Sequence, residues 1–552
     1  MMIALAINFC GLVSEAYIKR AIPRIETVTS EKGILIMTIA HNPILKGFYP
    51  DPSACRVGDD YYIVCSSFVY APGVPIFHSK DLAHWEQIGH VLDRESQLPV
   101  SGEISRGIFA PTIREHKGTF YMITTNVSHG GNFVVTAKDP AGPWSEPYYL
   151  GEAAPGIDPS LFFDDDDKCY YVGTRPNPEG VRYNGDWEIW VQELDLETMQ
   201  LVGESMAIWK GAVKDVIWPE GPHLYKKDGY YYLLHAEGGT GPEHAISVAR
   251  SKELFKWFEG CPRNPIFSHR NLGKDYPIIY AGHGDLIDDK DGNWYIVMLA
   301  SRPCEKHCSI GRETFLAKVV WEEGWPVINP GIGKLEDDVE LPFEENPFAT
   351  ENEWSDQLHF YTNELDQRLV GIEKRNEEIY SLTDRPGFLR LFTRPERAEE
   401  TCYPSFLGLR QKDYSFKVNA GVDFTPANED ECGGIVLFQN HANHLTLEIV
   451  SRGGKKQLQV RKTIKGEEQV SASTAVTGQV VTLELKVKNQ KAEAYLVENN
   501  KHTLLEADID LLPYTTEEAG GFVGCTVGMY TSSNGKPSDN HCDFAWLTME
   551  KM

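Results

Sequence analysis

Three acidic side chains stand in similar settings far apart in the chain. They are Asp51 in Tyr49-Pro50-Asp51-Pro52-Ser53, Asp158 in Ile157-Asp158-Pro159-Ser160, and Glu220 in Pro219-Glu220-Gly221-Pro222-His223. Two further copies of the phrase, Phe109-Ala110-Pro111-Thr112 and Gly282-His283-Gly284-Asp285, put Ala110 and His283 in the corresponding slot. If the five copies are equivalent in space, three carboxyl groups and an imidazole converge. Unpaired buried charge is expensive, so such convergence points to chemistry rather than packing. One carboxyl group can protonate a leaving oxygen while another, across the substrate, activates water or attacks directly, which is what glycoside hydrolysis requires. A third carboxylate nearby would keep the acid protonated near neutral pH by like-charge repulsion.

An architecture that brings five equivalent positions to one point is a β-propeller. Each copy of the phrase leads through a turn to paired aromatics, Tyr61-Tyr62, Phe120-Tyr121, Tyr170-Tyr171, Tyr231-Tyr232 and Trp294-Tyr295, and then to an outer apolar segment such as 74–78 or 245–249. The period is roughly fifty to sixty residues, the size of a four-stranded blade with its loops. Turn signals such as Gly58-Asp59-Asp60 and Lys227-Asp228-Gly229 fall between the first and second strands of every copy. The acidic run 164–167 occupies the same slot and reads as a hairpin rather than a calcium loop. Because the innermost strand of a blade lines the central channel, Asp51, Ala110, Asp158, Glu220 and His283 are expected around the axis at one face of the disc. Trp85, Trp144 and Trp257 follow outer-strand segments and read as packing between blades.

After Pro330 the repeat stops. A charged stretch, 335–353, reads as a linker, and beyond it short alternating strands at 388–392, 434–438, 445–450 and 480–485 have the turn-rich pattern of a β-sandwich. The expectation is an all-β protein: an N-terminal extension at 1–36 outside the fold, a five-bladed propeller at 37–334, the linker, and a sandwich at 354–552. A chain of 552 residues is long enough for two cores. With 80 acidic against 53 basic residues, its net charge of -27 disfavours nucleic acid and anionic membranes and leaves neutral sugars unaffected.

The 11 cysteines show no CxxC pairs and read as reduced core thiols. Cys304, His307 and Cys308 fall one ligand short of a structural zinc site. The apolar start of the chain has its basic residues, Lys19 and Arg20, after the apolar run, against the order of a secretory signal. No other stretch approaches the ~20 apolar residues of a membrane span. A cytoplasmic protein is expected.

From Asn42-Pro43 to the C-terminus the sequence resembles glycoside hydrolase family 43. The resemblance rests on Phe48-Tyr49-Pro50-Asp51-Pro52-Ser53, Gly156-Ile157-Asp158-Pro159-Ser160-Leu161-Phe162, Glu220-Gly221-Pro222-His223-Leu224-Tyr225, Ala236-Glu237-Gly238-Gly239-Thr240 and Gly311-Arg312-Glu313-Thr314. It implies an inverting enzyme with Asp51 as general base, Glu220 as general acid and Asp158 as the group that tunes and orients Glu220. It further implies that Arg312 binds sugar hydroxyls and that Phe68, Phe109 and Thr240 line the pocket. Phe109 departs from the Trp that many relatives carry.

His283 matches an axial histidine that in some members ligates calcium or another divalent ion in the channel. A neutral, hydrogen-bonded channel residue is the other reading, and no cofactor is strictly required. The segment Pro404-Ser405-Phe406-Leu407-Gly408-Leu409-Arg410-Gln411 resembles the jelly-roll (concanavalin A-like) domain that accompanies the family's β-xylosidases. There Phe522 matches an aromatic that reaches into the site, with a place in the sandwich core as its alternative.

The implied activity is exo release of terminal xylose, arabinose or both from xylo-oligosaccharides and arabinoxylan fragments. An α-L-arabinofuranosidase without useful xylosidase activity is the runner-up. A non-catalytic sugar-binding propeller would tolerate loss of a carboxylate, and all three are present. Homo-oligomerisation is left open.

Overall fold

A strand turns successive side chains to opposite faces, and that alternation explains the paired aromatics. In the computed structural model, which describes residues 29–30, 33–34, 37–344 and 354–552 apart from 274 and 377, each pair lies near the start of a blade's second strand. One ring goes to each neighbouring gap. Tyr121 packs with Leu161 and Trp190 of the next blade while Phe120 packs with Val64 and Ile76 of the previous one. Tyr232 and Tyr231 divide in the same way between the fourth–fifth and third–fourth gaps, and Tyr295 reaches Tyr61 and Ile63 across the gap that closes the ring. Five apolar clusters, one per gap, therefore hold the blades together.

Each blade is a four-stranded antiparallel sheet drawn from one stretch of chain. The innermost strands are Ser53–Val57, Thr112–His116, Ile157–Phe163, Glu220–Lys227 and Ile279–Asp288. The run at 164–167 is the hairpin turn expected from its position, with Asp164 paired to Lys226 at 2.5 Å and accepting from the Tyr231 hydroxyl at 2.7 Å.

Ring closure is reinforced by Asn42. Its side-chain amide donates to the carbonyls of Leu316 and Glu336 at 2.8 and 2.9 Å, and its Oδ1 accepts from the Leu316 amide. Beside it Met37–His41 pairs with Asp338–Glu344. This strand lies inside the stretch expected to be a linker. Val339 and Leu341 alternate inward with Thr38 and Ala40, but Asp338, Glu340 and their acidic neighbours mask that period in the sequence. Of the other expected linker residues, 335–337 continue the propeller, with Leu335 buried against the fifth blade, while 345–353 and the extension at 1–36, apart from the paired strands Thr29–Ser30 and Gly33–Ile34, lie outside the described residues. Trp257 also departs from expectation. It is 53% exposed and leans on Trp209, whereas Trp144 is buried and Trp85 half-buried as blade packing requires.

The second domain stacks an eight-stranded on a six-stranded antiparallel sheet. One core of Leu, Val, Ile and Phe side chains fills the space between them. The outer face of the smaller sheet, with Phe406, Phe438 and Tyr530, packs on Phe48, Phe68 and Tyr70 of the propeller. Gly371–Ile372 adds to Tyr70–Ala71 as a short ladder, and Glu373 accepts from the amides of Ser101 and Gly102 at 2.8 and 2.5 Å. At one point the two backbones nearly touch. A Cβ on Gly524 would sit 1.9 Å from the Ile310 carbonyl oxygen, and one on Gly311 would meet the Gly524 Cα at 2.9 Å. Only glycines permit that crossing, which fixes Arg312 and Phe522 beside each other.

Candidate active site

The strands that start at the axis do not start regularly. Ladder register shifts between Ile157 and Ser160, between Glu220 and His223, and twice between Ile279 and Gly284, and such bulges re-aim side chains. Asp51, Asp158 and His283 hold φ of 53°, 52° and 41°, a region that non-glycine residues seldom occupy and that concentrates at functional sites. After Glu220 the positive φ falls on Gly221 instead, and a Cβ there would lie 2.7 Å from His283 Nε2. Together these distortions turn all five slot residues, Asp51, Ala110, Asp158, Glu220 and His283, onto one pocket of about 350 Å3.

Electrostatics separates the carboxyl groups. Burial pushes Asp51 up, but Arg312 Nη1 donates to its Oδ1 at 2.7 Å, Ser66 Oγ donates to its Oδ2 at 2.6 Å, and His283 Nδ1 stands 3.8 Å away. The favourable partners win, and Asp51 is held below the usual carboxylate range. Glu220 goes the other way. Burial raises it first, the negative charges of Asp158 and Asp51 raise it further, and the opposing effect of Arg312 is smaller. Asp158, also raised by burial, accepts one hydrogen bond from the Gly221 amide at 3.2 Å, next to Glu220 in the chain. The pocket thus offers a carboxylate that gives up its proton readily on the first blade and a carboxyl that keeps its proton to higher pH on the fourth, the division of labour between a base and an acid.

The aromatic wall is also in place. Phe68 packs against Phe109 at 5.2 Å and lies nearly parallel to Phe522 at 6.4 Å and 24°. Phe522 is 46% exposed and lines the pocket rather than the sandwich core; its amide donates to Ser105 Oγ at 2.9 Å. Thr240 also lines the pocket. Arg312 lines the pocket as expected, yet one of its nitrogens is already committed to Asp51 and another reaches the Phe522 carbonyl at 3.5 Å. It ties the base to the second domain.

Six lining residues were not expected from the sequence: the aliphatic Val127 and Leu299, and Arg106, Trp187, Trp218 and His244. Trp218, two residues before Glu220, was the most accessible signal. Its ring covers Gly239, where a Cβ would approach to 2.9 Å. His244 donates from Nδ1 to the Tyr280 carbonyl at 2.9 Å, and burial lowers it to about 4, so it is a neutral imidazole.

Beneath the pocket the axis carries a polar network instead of apolar filling. Asp285 accepts from Arg114 at 2.8 and 3.1 Å, from Ser53 Oγ at 2.7 Å and from the Tyr225 hydroxyl at 2.5 Å. Every charge in it is paired, and it serves as the floor.

A divalent ion on His283 needs further ligands. The imidazole faces the Gly221 Cα on one side and Asp51, already bound to Arg312 and Ser66, on the other. Among the described residues no group of three or more His, Cys, Asp or Glu side chains is arranged to hold a metal, and one imidazole does not make the oxygen-rich shell that a hard cation takes. The described side chains thus offer such an ion one imidazole. Cys304, His307 and Cys308 likewise form a turn with Cys308 buried and His307 bonded to the Glu305 carbonyl.

Known proteins share this arrangement over nearly the whole chain. A "Xylosidase/arabinosidase" of Butyrivibrio fibrisolvens is 69% identical over 517 residues, covering 94% of this chain and 100% of the relative. A "Non-reducing end alpha-L-arabinofuranosidase" of Bacteroides ovatus is 38% identical, covering 92% and 94%. The crystal structure of a xylan beta-1,4-xylosidase from Bacillus halodurans superposes with a TM-score of 0.87 at 34% identity, covering 93% of this chain and 100% of that one. The profile described as "Beta xylosidase C-terminal Concanavalin A-like domain" matches residues 357–550, and the profile of "Glycosyl hydrolases family 43" matches residues 40–326, the span that holds all three carboxyl groups. The chain belongs to glycosyl hydrolase family 43 and is a glycosidase.

Proposed function

We propose that this glycosidase removes single terminal pentoses, β-linked xylose and α-linked arabinofuranose, from xylo-oligosaccharides and arabinoxylan fragments with inversion at the anomeric carbon. The observation that carries the reading is the opposite electrostatic fate of Asp51 and Glu220 within one pocket. Ionised Asp51 takes a proton from water as that water attacks the anomeric carbon. Protonated Glu220 gives its proton to the departing glycosidic oxygen. Asp158 keeps Glu220 protonated until transfer and orients it through Gly221. Phe68, Phe109 and Phe522 supply flat apolar faces for the sugar ring, and the free edge of Arg312 supplies donors for hydroxyl groups.

Exo action follows from the second domain, since Phe522 and the strand behind it wall one end of a pocket at the small end of the ligand-site range. Both pentoses are included because the relatives quoted above carry names for both activities. A reducing, cytoplasmic setting belongs to the same proposal, supported by the eight buried cysteines among the described residues, all of them free thiols.

Hydrolysis of nitrophenyl β-xyloside, nitrophenyl α-arabinofuranoside, xylobiose and linear arabinan, run side by side, tests the reading. Monosaccharide from the first three is expected. Rapid conversion of arabinan to internal fragments would overturn the exo assignment.

A further inference from the structure

A second cavity, of about 510 Å3, opens at the rim of the propeller, where the outermost strand of the first blade, Glu86–Leu92, faces the segment that enters the sandwich. Its other wall is built by Ser355–His359 and the loop through Arg368. Leu358 and Phe360 point into the sandwich core, so alternation turns Gln357, His359 and Tyr361 outward. The Tyr361 ring is 79% exposed and lies flat on the His359 imidazole, with centroids 5.6 Å apart and planes within 7°. Packing does not require an aromatic there.

Tyr361 stands at the rim, between His359 and Thr362 of the cavity wall, and the cavity itself is furnished for hydroxyl groups. Gln87 lines it and donates through Nε2 to the Gln367 carbonyl at 3.3 Å. Glu86, Gln357 and Glu364 add acceptors and an amide. Arg368 grips Asp366 through two nitrogens at 2.9 and 2.7 Å and Asp356 through a third at 2.6 Å, which fixes the wall. A flat aromatic face next to convergent amides and carboxylates is the chemistry that holds a sugar ring, stacked on one face and hydrogen-bonded at its edge. An anionic ligand would be repelled by Glu86, Glu364 and the net charge of -27. A protein partner would want a larger apolar centre than one ring.

We propose that this cleft is a non-catalytic glycan site that holds a neutral xylan or arabinoxylan chain, a substrate class that rests on the reading under Proposed function. Electrophoresis of the Glu220→Gln protein through gels containing soluble arabinoxylan tests it. Retardation is expected, and adding Tyr361→Ala should weaken the apparent affinity about fivefold or more, the size of a lost aromatic contact. Gln87→Leu should weaken it independently. In the active enzyme Tyr361→Ala should leave hydrolysis of nitrophenyl xyloside unchanged. Absence of retardation, or equal retardation with and without Tyr361, overturns the proposal. Conversion of a dimer to a monomer by Tyr361→Ala in sedimentation also overturns it, because the face would then join two copies. Failure of the substrate reading is distinguishable, since it would show as wild-type protein inert on nitrophenyl pentosides whatever the gels report.

Discussion

At the scale of single residues the account divides proton transfer between Asp51 and Glu220, and the two predict different losses. Glu220→Gln should lower turnover on xylobiose roughly a hundredfold to ten-thousandfold, and much less on nitrophenyl xyloside, whose leaving group needs little protonation. Asp51→Asn should cost both substrates alike, because water must be activated in either case. Steady-state kinetics on the pair of substrates checks this.

The pH profile supplies a second prediction. Arg312 lowers the affinity of Asp51, Asp158 and Glu220 for protons. Arg312→Met should therefore move both the acidic limb, set by Asp51, and the basic limb, set by Glu220, to higher pH. Asp158→Asn removes a charge that raises Glu220, so it should move the basic limb to lower pH. The three carboxyl groups were legible in the sequence because each sits in a repeated phrase. Trp218, Arg106 and His244 were not, because they belong to individual connections that the repeat does not share, and Trp187 was not, because it opens an outer strand whose first residue varies from blade to blade.

At the scale of elements the site depends on strands that are bent where they begin. Gly221 is the most exposed to test: alanine there would meet the His283 ring at 2.7 Å with φ at +56°. Gly221→Ala should destabilise the fold by about 1–3 kcal/mol through backbone strain and lower kcat on the order of a hundredfold by displacing Glu220 and the amide that holds Asp158. Thermal unfolding and kcat on one preparation separate the two effects. The five blades could be read from the sequence because paired aromatics serve two gaps at once, a demand that recurs in every copy. The bulges could not, since these inner strands are buried on both faces and offer no alternation for an extra residue to interrupt. The strand Asp338–Glu344 was hidden for a related reason: its outward positions are acidic and resemble a linker.

At the scale of the whole molecule two domains make one pocket. The sandwich was expected from its alternating strands, and Phe522 from a family phrase, but the crossing of Gly311 and Gly524 that sets Arg312 beside Phe522 involves residues 213 positions apart and has no local signature. Phe522→Ala opens the wall that the sandwich lends to the propeller. KM for xylobiose should rise roughly tenfold with kcat changed less, as expected for loss of an aromatic contact made alike in ground and transition states. The claim that ties residues, bent strands and joined domains together is that a water molecule, not Asp51, attacks the sugar. Proton NMR of nitrophenyl β-xyloside hydrolysis, read before mutarotation, tests it most directly. The account predicts α-xylose as the first product. First appearance of β-xylose would contradict it.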